Sequence, residues 1–407
     1  MNISPDRNAA GAGRKVLLIT PRFPFPPVSG GEKWAASLAG SLAARNEISL
    51  FSFTNPGTES HQAALAMSLE ARLFKKVFLL PRPSGGADKR LPSLPASYWS
   101  PEAAAKLSEA VAESGAEIAH ILFSEMACYE AAIPAALPVV YTEIDSSYLY
   151  PWKSYLRETA GFKGFFKAGE FFKSRSYARR HYGRFAAATF ITASDGRDIA
   201  RYLATGITAV TPNAVNPAEF TPPPEFEKRP GEIVFLGHYP HYPNEDAALR
   251  LALDIFPRVK AAAGGTSLTL AGSCPTPAIT ALAGPDISVP GTAADIRPYL
   301  WRAQVFAAPV RYGLGTKGKI LEAFAAGLPV VASKEAAAGV EGAEDSRHLL
   351  TASSDSDFAA KVARLLGDKA LRERLAAEAL KLVGGKFSFT GVVSTVAGIY
   401  GRVLDGR

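Results

Sequence analysis

The chain has 407 residues, 47% of them hydrophobic, which is enough for two or more domains with apolar cores. No apolar run reaches the roughly 18 residues of a membrane-spanning helix, and no secretory signal is expected because the first residues lack an apolar region. The chain has two cysteines without metal-ligand spacing, which excludes a disulfide framework and a zinc site and fits a reducing cytoplasm. The formal net charge of +7 is too moderate to indicate a nucleic-acid partner.

The first half of the chain alternates strand and helix patterns after a leader, 1–14, that we expect to be disordered. Apolar runs predict strands at 15–20, 47–53, 76–80, 117–122, 138–142, 188–192 and 207–211. Helices are predicted between them at about 32–45, 63–74, 101–114 and 125–132, with a further one capped by Ser194 or Asp195. Gly30 and Gly31 either face a ligand or form a plain strand–helix turn. The alternation predicts a parallel, doubly wound sheet that binds ligands beyond the carboxyl ends of its strands.

A proline-rich polar stretch at 212–230 is predicted to link this first domain, 15–211, to a second domain at 231–385. Strands are predicted there at 232–236, 267–271, 287–289, 305–310 and 328–332. Helices are predicted at 245–263, 275–283, 294–302, 317–326, 355–367 and 369–383. A last amphipathic helix, 390–404, lies in a C-terminal segment, 386–407. The fold class is therefore α/β with two Rossmann-like, doubly wound domains.

The stretch 305–333 has the pattern of a strand, a glycine-rich loop, a helix and a second strand. The start of such a helix attracts anions through its free N–H groups and its dipole. Lys317 and Lys319 add positive charge suited to phosphate, and Glu322 shares a helix face with Lys319 and can accept hydrogen bonds from sugar hydroxyls. The loop glycines allow close approach of a ligand: Gly313, Gly315 and Gly318. The alternative is an ordinary βαβ unit with a solvated Lys/Glu pair.

Polar residues also follow other predicted strands. His120 ends one of them and is either an active-site group or a core histidine with satisfied hydrogen bonds. Glu143 and Asp145 follow the next strand, at an edge where ligands bind. His238 begins the first loop of the second domain and is a candidate for the same reason.

The segment 152–184 contains nine Lys and Arg residues against two Glu, interleaved with aromatic residues. This local excess equals the net charge of the whole chain, so any argument for a charged partner depends on this segment. One interpretation is a helix at an anionic membrane surface. The other is a helix packed on the first domain with a solvated basic face.

Five motifs, in order, are similar to those of retaining group 1 glycosyltransferases (glycosyltransferase family 4), and one of them is similar to an exopolysaccharide-type subgroup. They are the loop PRFPFPPVSGGEK, the pair SDGRDIARY and PNAVNPAEF, the segment FLGHYPHYPNEDA, the segment PGTAADIRPYL, and GTKGKILEAFAAGLPVVAS. The resemblance covers nearly the whole chain. It implies the GT-B fold, in which two Rossmann-like domains face each other across a cleft and the C-terminal helix crosses back to the first domain.

The resemblance also implies roles for residues. The expected catalytic residues are Lys319, His120 and Asp145. The expected donor-binding residues are Gly237, His238, Arg311, Gly313, Leu314, Gly315, Thr316, Lys317 and Glu322. The expected acceptor or cleft residues are Gly30, Gly31 and Glu143.

The chain departs from the family pattern at two places. Glu322 matches the second glutamate of the E-x7-E motif, but Leu314 stands where the first is expected, so the backbone of the glycine-rich loop has to bind more of the donor. The usual G-R-x-x-x-x-K-G phosphate clamp is missing after the first strand of the second domain. Lys317, Lys319 or Arg311 is then expected to supply the positive charge that the missing clamp would provide.

The implied activity is transfer of a sugar from a nucleotide diphosphate sugar to a hydroxyl of a glycan, lipid-linked or small-molecule acceptor. Anomeric configuration would be retained, and no metal or other cofactor is expected. The protein is expected in the cytoplasm, with possible attachment to the inner face of the membrane through 152–184. The alternatives are a GT-B sugar-nucleotide epimerase and a catalytically silent nucleotide-sugar-binding protein.

Overall fold

The computed structural model describes residues 13–27, 29–70, 72–83, 88–144, 146–149, 163–311 and 318–406. The chain divides into two compact units, Met1–Pro212 with Phe389–Arg407, and Asn213–Ser388. Nearly all of the leader predicted to be disordered, 1–14, lies outside the described residues, and the domain boundaries proposed from the sequence stay a prediction.

The first unit contains a seven-stranded parallel sheet among the described residues, with strand order β3-β2-β1-β4-β5-β6-β7. Its strands are β1 Lys15–Thr20, β2 Glu47–Phe53, β3 Lys76–Leu80, β4 Ile118–Leu122, β5 Val139–Glu143, β6 Ala187–Phe190 and β7 Thr208–Val210. Its helices are α1 Gly30–Ala43, α2 Glu59–Glu70, α3 Ser93–Ala96, α4 Pro101–Ser114, α5 Lys163–His181 and α6 Ala193–Ile199. All residues of β1 after Lys15 are buried, as expected for a strand covered on both faces.

The second unit contains a six-stranded parallel sheet among the described residues, with strand order β10-β9-β8-β11-β12-β13. Its strands are β8 Glu232–His238, β9 Ser267–Ser273, β10 Ile287–Ser288, β11 Val305–Ala308, β12 Val330–Ser333 and β13 Leu350–Ala352. Its helices are α7 Tyr242–Arg250, α8 Phe256–Ala262, α9 Pro277–Thr280, α10 Arg297–Arg302, α11 Gly318–Ala325, α12 Lys334–Ala338, α13 Asp355–Gly367 and α14 Lys369–Lys386. The predicted α/β class, with two doubly wound parallel sheets, is confirmed.

The last helix, α15 Phe389–Asp405, belongs to the first unit although it follows the second in sequence. Residues three and four positions apart bury one side of it: Val392, Val393, Val396, Ile399, Tyr400 and Val403. This side packs against α1. Among the described residues, no helix combines the length and the apolar character that a membrane span requires.

Two local predictions were wrong for identifiable reasons. The single helix predicted at 245–263 is interrupted by a π-helical turn, Leu251–Ile255, because Pro257 has no N–H to continue the hydrogen-bond ladder. The cap of α6 is Thr192, whose hydroxyl accepts from the N–H of Asp195, and neither Ser194 nor Asp195 fills that position.

Candidate functional site

The amine of Lys319 lies at the carboxyl edge of the second sheet. Burial of Ile320, Leu321 and Phe324 orients α11 so that Lys319, its second residue, is half-buried. Its Nζ lies 2.5 Å from Oδ1 of Asn244 and 4.4 Å from the ring centroid of Phe235. Both contacts are with uncharged groups. Each of them helps to fix the position of the ammonium group.

Asn244 is itself oriented by the loop after β8. It is the third residue of α7, and its Nδ2 donates to the carbonyl oxygen of His238 at 2.8 Å. A Cβ atom at Gly237 would lie 3.2 Å from Cβ of Asn244, so glycine leaves the room that this side chain uses. The ring of His238 is exposed, and its Nδ1 lies 2.9 Å from Oγ of Ser273 at the end of β9.

Arg311 is held by a second residue of α7. Its Nε and Nη2 lie 3.2 and 2.5 Å from the two carboxylate oxygens of Asp246, a bidentate arrangement. The carboxylate of Asp246 is 11% exposed and balances the guanidinium charge. This ion pair weakens Arg311 as a source of the positive charge that the missing phosphate clamp would supply.

The structure therefore brings Gly237, His238, Arg311 and Lys319 to one edge of the second sheet. Glu322, half-buried, follows Lys319 by three residues on α11, so the two share a helix face. Other predicted residues lie outside the described part of the chain: Asp145, Gly313, Leu314, Gly315, Thr316 and Lys317.

The predicted glycines of the first unit begin α1 directly after its cap. Ser29 and Glu32 form a capping box, in which Oγ of Ser29 accepts from N–H of Glu32 and Oε2 of Glu32 accepts from N–H of Ser29, both at 3.2 Å. Gly30 has open space where a Cβ would stand, whereas a Cβ at Gly31 would lie 2.9 Å from the Phe123 ring. Because a carboxylate already occupies the first turn, this helix start favours hydroxyl groups over phosphate.

Arg22 lies in the loop PRFPFPPVSGGEK and contacts two carboxylates. Its Nε lies 3.4 Å from Oε1 of Glu32, and its Nη2 lies 3.9 Å from Oε1 of Glu125, which follows β4. The guanidinium of Arg82 lies 4.2 Å from the ring centroid of Tyr98. Burial raises the pKa of Tyr98, whereas the nearby charges of Arg22 and Arg82 lower it. Tyr98 and the two arginines therefore lie close together near the carboxyl edge of the first sheet.

His120 is enclosed in the core of the first unit. Its Nδ1 lies 2.7 Å from the hydroxyl of Tyr400 on α15, and its Nε2 lies 2.7 Å from Oγ1 of Thr142 on β5. The side chain is 0% exposed, and burial lowers its pKa to about 3. Of the two interpretations left open by the sequence, this geometry favours the core histidine.

Glu143 is also buried, at the end of β5. Its Oε2 accepts from the hydroxyl of Tyr141 at 2.9 Å and from that of Tyr182 at 3.3 Å. The side chain is therefore engaged within the first unit. The chain beside it is held to α6, since Oδ1 of Asp195 accepts from N–H and Oγ of Ser146 at 3.2 and 2.7 Å.

Sequence reasoning missed the partners of the cations. Asn244 and Asp246 both lie in FLGHYPHYPNEDA, a segment singled out for its motif but given no contact to Lys319 or Arg311. Glu32 was identifiable from the S-x-x-E capping pattern. Among the residues that the structure describes, no group of three or more His, Cys, Asp and Glu side chains is placed to hold a metal ion.

The chain contains two doubly wound parallel α/β units, and Lys319 lies at the start of α11 at the carboxyl edge of the second sheet. This architecture is that of the GT-B class. Residues 230–368 match the family described as glycosyl transferases group 1, so the second unit contains a glycosyltransferase domain of this kind. No curated protein matches the sequence.

Solved structures with the same fold include Anabaena Alr3699/HepE in complex with UDP and glucose, at a TM-score of 0.67 and 14% identity over 95% of this chain and 100% of that one. Sucrose-phosphate synthase from Thermosynechococcus elongatus has a TM-score of 0.67 and 14% identity over 97% and 100%. WaaG, a glycosyltransferase involved in lipopolysaccharide biosynthesis, has a TM-score of 0.63 and 13% identity over 95% and 100%. At such low identity the likeness shows the shared fold.

Proposed function

We propose that the protein is a retaining, metal-independent glycosyltransferase of family 4, with exopolysaccharide-type relatives, that moves a sugar from a nucleotide diphosphate sugar to an acceptor hydroxyl. The observation that carries the proposal is the placement of Lys319 at the start of α11, in contact with Asn244 and Phe235 and within the residues that match the group 1 family. A fixed cation and free helix N–H groups suit the diphosphate of a leaving nucleotide. Glu322, one turn further on, suits the ribose hydroxyls.

The difficult step is breakage of the bond between the anomeric carbon and the β-phosphate oxygen. The bonding electrons move to that oxygen, and the amine of Lys319 stabilises the negative charge that develops there. The acceptor hydroxyl attacks from the same face, so the new C–O bond keeps the anomeric configuration. Its proton passes to the departing phosphate oxygen, and no protein nucleophile is needed. In this mechanism His120 acts only in the core.

A panel of nucleoside diphosphates tested by thermal shift and calorimetry examines the donor site. Uridine diphosphate heads the panel because the HepE structure contains UDP. We expect Lys319→Ala and Glu322→Gln to weaken the stabilising nucleotide about tenfold each, since hydrogen bonds to charged groups are among the stronger ones. Lys369→Ala, which removes an exposed lysine from the start of another helix, is the matched control and should bind normally.

Product analysis with the stabilising nucleotide's sugar donors then examines the reaction. Transfer to an added glycan, lipid-linked or small-molecule acceptor with retention supports the proposal. Release of nucleotide with an epimerised sugar would identify an epimerase instead. Binding without turnover on any acceptor would identify a silent binding protein, and equal affinity of the two variants and the wild type would remove the assigned donor site.

We propose further that the basic segment 152–184 attaches the protein to the cytoplasmic face of an anionic membrane. In its described part, Phe172 is 69% exposed, and Arg175 and Arg179 lie on the same side of α5. Aromatic and basic side chains on one helix face suit a lipid headgroup layer. The alternative, a solvated face of a packed helix, has support from the buried side chains of Tyr177 and His181.

Co-sedimentation with vesicles distinguishes these alternatives. Binding to phosphatidylglycerol-containing vesicles at low salt, with loss at high salt and in Phe172→Ser, supports attachment. Absence of binding to anionic vesicles at low salt refutes it.

A further inference from the structure

We propose that a cavity at the amino edge of the first sheet is a binding site for a small organic anion with an apolar body. The cavity lies within the first unit and has a volume of about 350 Å³. Ligand pockets span about 300–1,000 Å³, so this one suits a small molecule. The proposed sugar transfer gives this site no task.

Three neighbouring strands and the last helix build the cavity. Val139 begins β5, Ala186 directly precedes β6 and Ile207 directly precedes β7, so these strands contribute their amino ends. Arg402 and Val403 of α15 also line it. Open α/β sheets bind substrates beyond the carboxyl ends of their strands. A ligand in the cavity would therefore occupy the opposite edge of the sheet and join α15 to β5, β6 and β7.

The lining combines apolar side chains with two arginines. The larger apolar side chains are those of Leu137, Val139, Ile207 and Val403. Arg184 is already engaged, since its Nη1 lies 2.8 Å from Oε2 of Glu130 and its Nη2 donates to the carbonyl oxygen of Ile133 at 2.7 Å. The carboxylate of Glu130 balances the charge of this guanidinium.

Arg402 differs from Arg184 because it lacks such partners. Its side chain is exposed and makes no ion pair or hydrogen bond with any residue that the structure describes. A guanidinium group presents paired donors that match a carboxylate or a phosphate. One such cation beside an apolar wall favours a ligand with one anionic group and a hydrocarbon part, which the wall removes from water. The alternative is an arginine that interacts only with the dipole at the end of α15.

Calorimetry with hexanoate tests the site because this probe combines a carboxylate with an aliphatic chain. We expect hexanoate to bind more tightly than 1-hexanol, which lacks the charge, and than acetate, which lacks the chain. Arg402→Gln should weaken hexanoate about tenfold, since hydrogen bonds to charged groups are among the stronger ones. Arg364→Gln is the matched control, because it removes an exposed arginine from the last turn of α13, and it should bind normally. Thermal scans show that each variant is folded.

Hydrogen exchange then locates the probe. Saturating hexanoate should slow exchange in peptides that cover 134–139 and α15, because a ligand stabilises the elements that it joins. Ala135→Phe, at an exposed position of the lining, should weaken hexanoate by filling the cavity while Arg402 stays in place. Equal affinities for hexanoate and acetate, equal affinities of Arg402→Gln and Arg364→Gln, or protection confined to the second unit would overturn the inference. No nucleotide or sugar enters these measurements, so they stand whether or not the proposed transfer occurs.

Discussion

Lowering the pH should destabilise the first unit through His120, and the size of the effect follows from its burial. The imidazole is 0% exposed, and burial lowers its pKa to about 3 from an ordinary value near 6.5. The unfolded chain therefore binds a proton at pH 5.5 that the folded protein does not bind. Stability is full above pH 6.5 and falls as the pH drops toward 3.

Between pH 7.5 and 5.5 this linkage removes about 1.4 kcal/mol of unfolding free energy, the value of one pKa unit. His120→Asn cannot be protonated and should lack that component, although it loses one of the two 2.7 Å hydrogen bonds at every pH. Urea unfolding at both pH values, with hydrogen exchange of β4 and α15 peptides reporting on the first unit, compares the two proteins. Every other titrating group contributes to both proteins and cancels in the comparison. Equal losses of stability in wild type and variant would refute the reasoning.

Three further substitutions have expected outcomes. Gly237→Ala should reduce nucleoside diphosphate affinity severalfold and lower the melting temperature, because the new methyl group would lie 3.0 Å from Cε1 of the buried Tyr239 ring and 3.2 Å from Cβ of Asn244. Calorimetry with a thermal scan checks this, and unchanged affinity would contradict it. Gly272→Ala should cost about 3 kcal/mol in urea unfolding, since its φ is +137° and the added Cβ would lie 1.9 Å from the carbonyl oxygen of Gly237; a loss below about 1 kcal/mol would show that the strands separate easily. Arg22→Met should lower the unfolding free energy of the first unit by about 2 kcal/mol because it removes the guanidinium 3.4 Å from the buried Glu32; a neutral result would mean that this ion pair is not needed.

The class of fold was predictable because strands covered on both faces are continuous apolar runs. The run KVLLIT became β1 with the predicted bounds, and Gly327, the residue after the helix predicted at 317–326, has a φ of +65°, as is common for a glycine just beyond a helix end. Interruptions were harder to predict. The helical pattern at 245–263 continues through Pro257, and only the hydrogen-bond ladder shows the π-helical turn there.

The candidate site was predictable as a location and not as a set of contacts. A lysine after a glycine-rich loop indicates an anion site by local chemistry alone. The partner of Lys319 lies 75 residues earlier in the chain, and the partner of His120 on α15 lies 280 residues later. No spacing rule within one helix or strand encodes such pairs, because packing of distant elements creates them. The sequence therefore left the role of His120 open between catalysis and the core.

The membership of α15 in the first unit has a consequence for synthesis of the chain. Translation proceeds from the N-terminus, so β1 to β7 leave the ribosome well before Tyr400 exists, and Nδ1 of His120 then lacks its hydroxyl partner. The second unit is one continuous segment, Asn213–Ser388. All of its strands are therefore synthesised before α15, the last helix of the first unit. The domain begun first is therefore the one completed last, and a nascent chain interrupted before residue 389 carries an unfinished first unit.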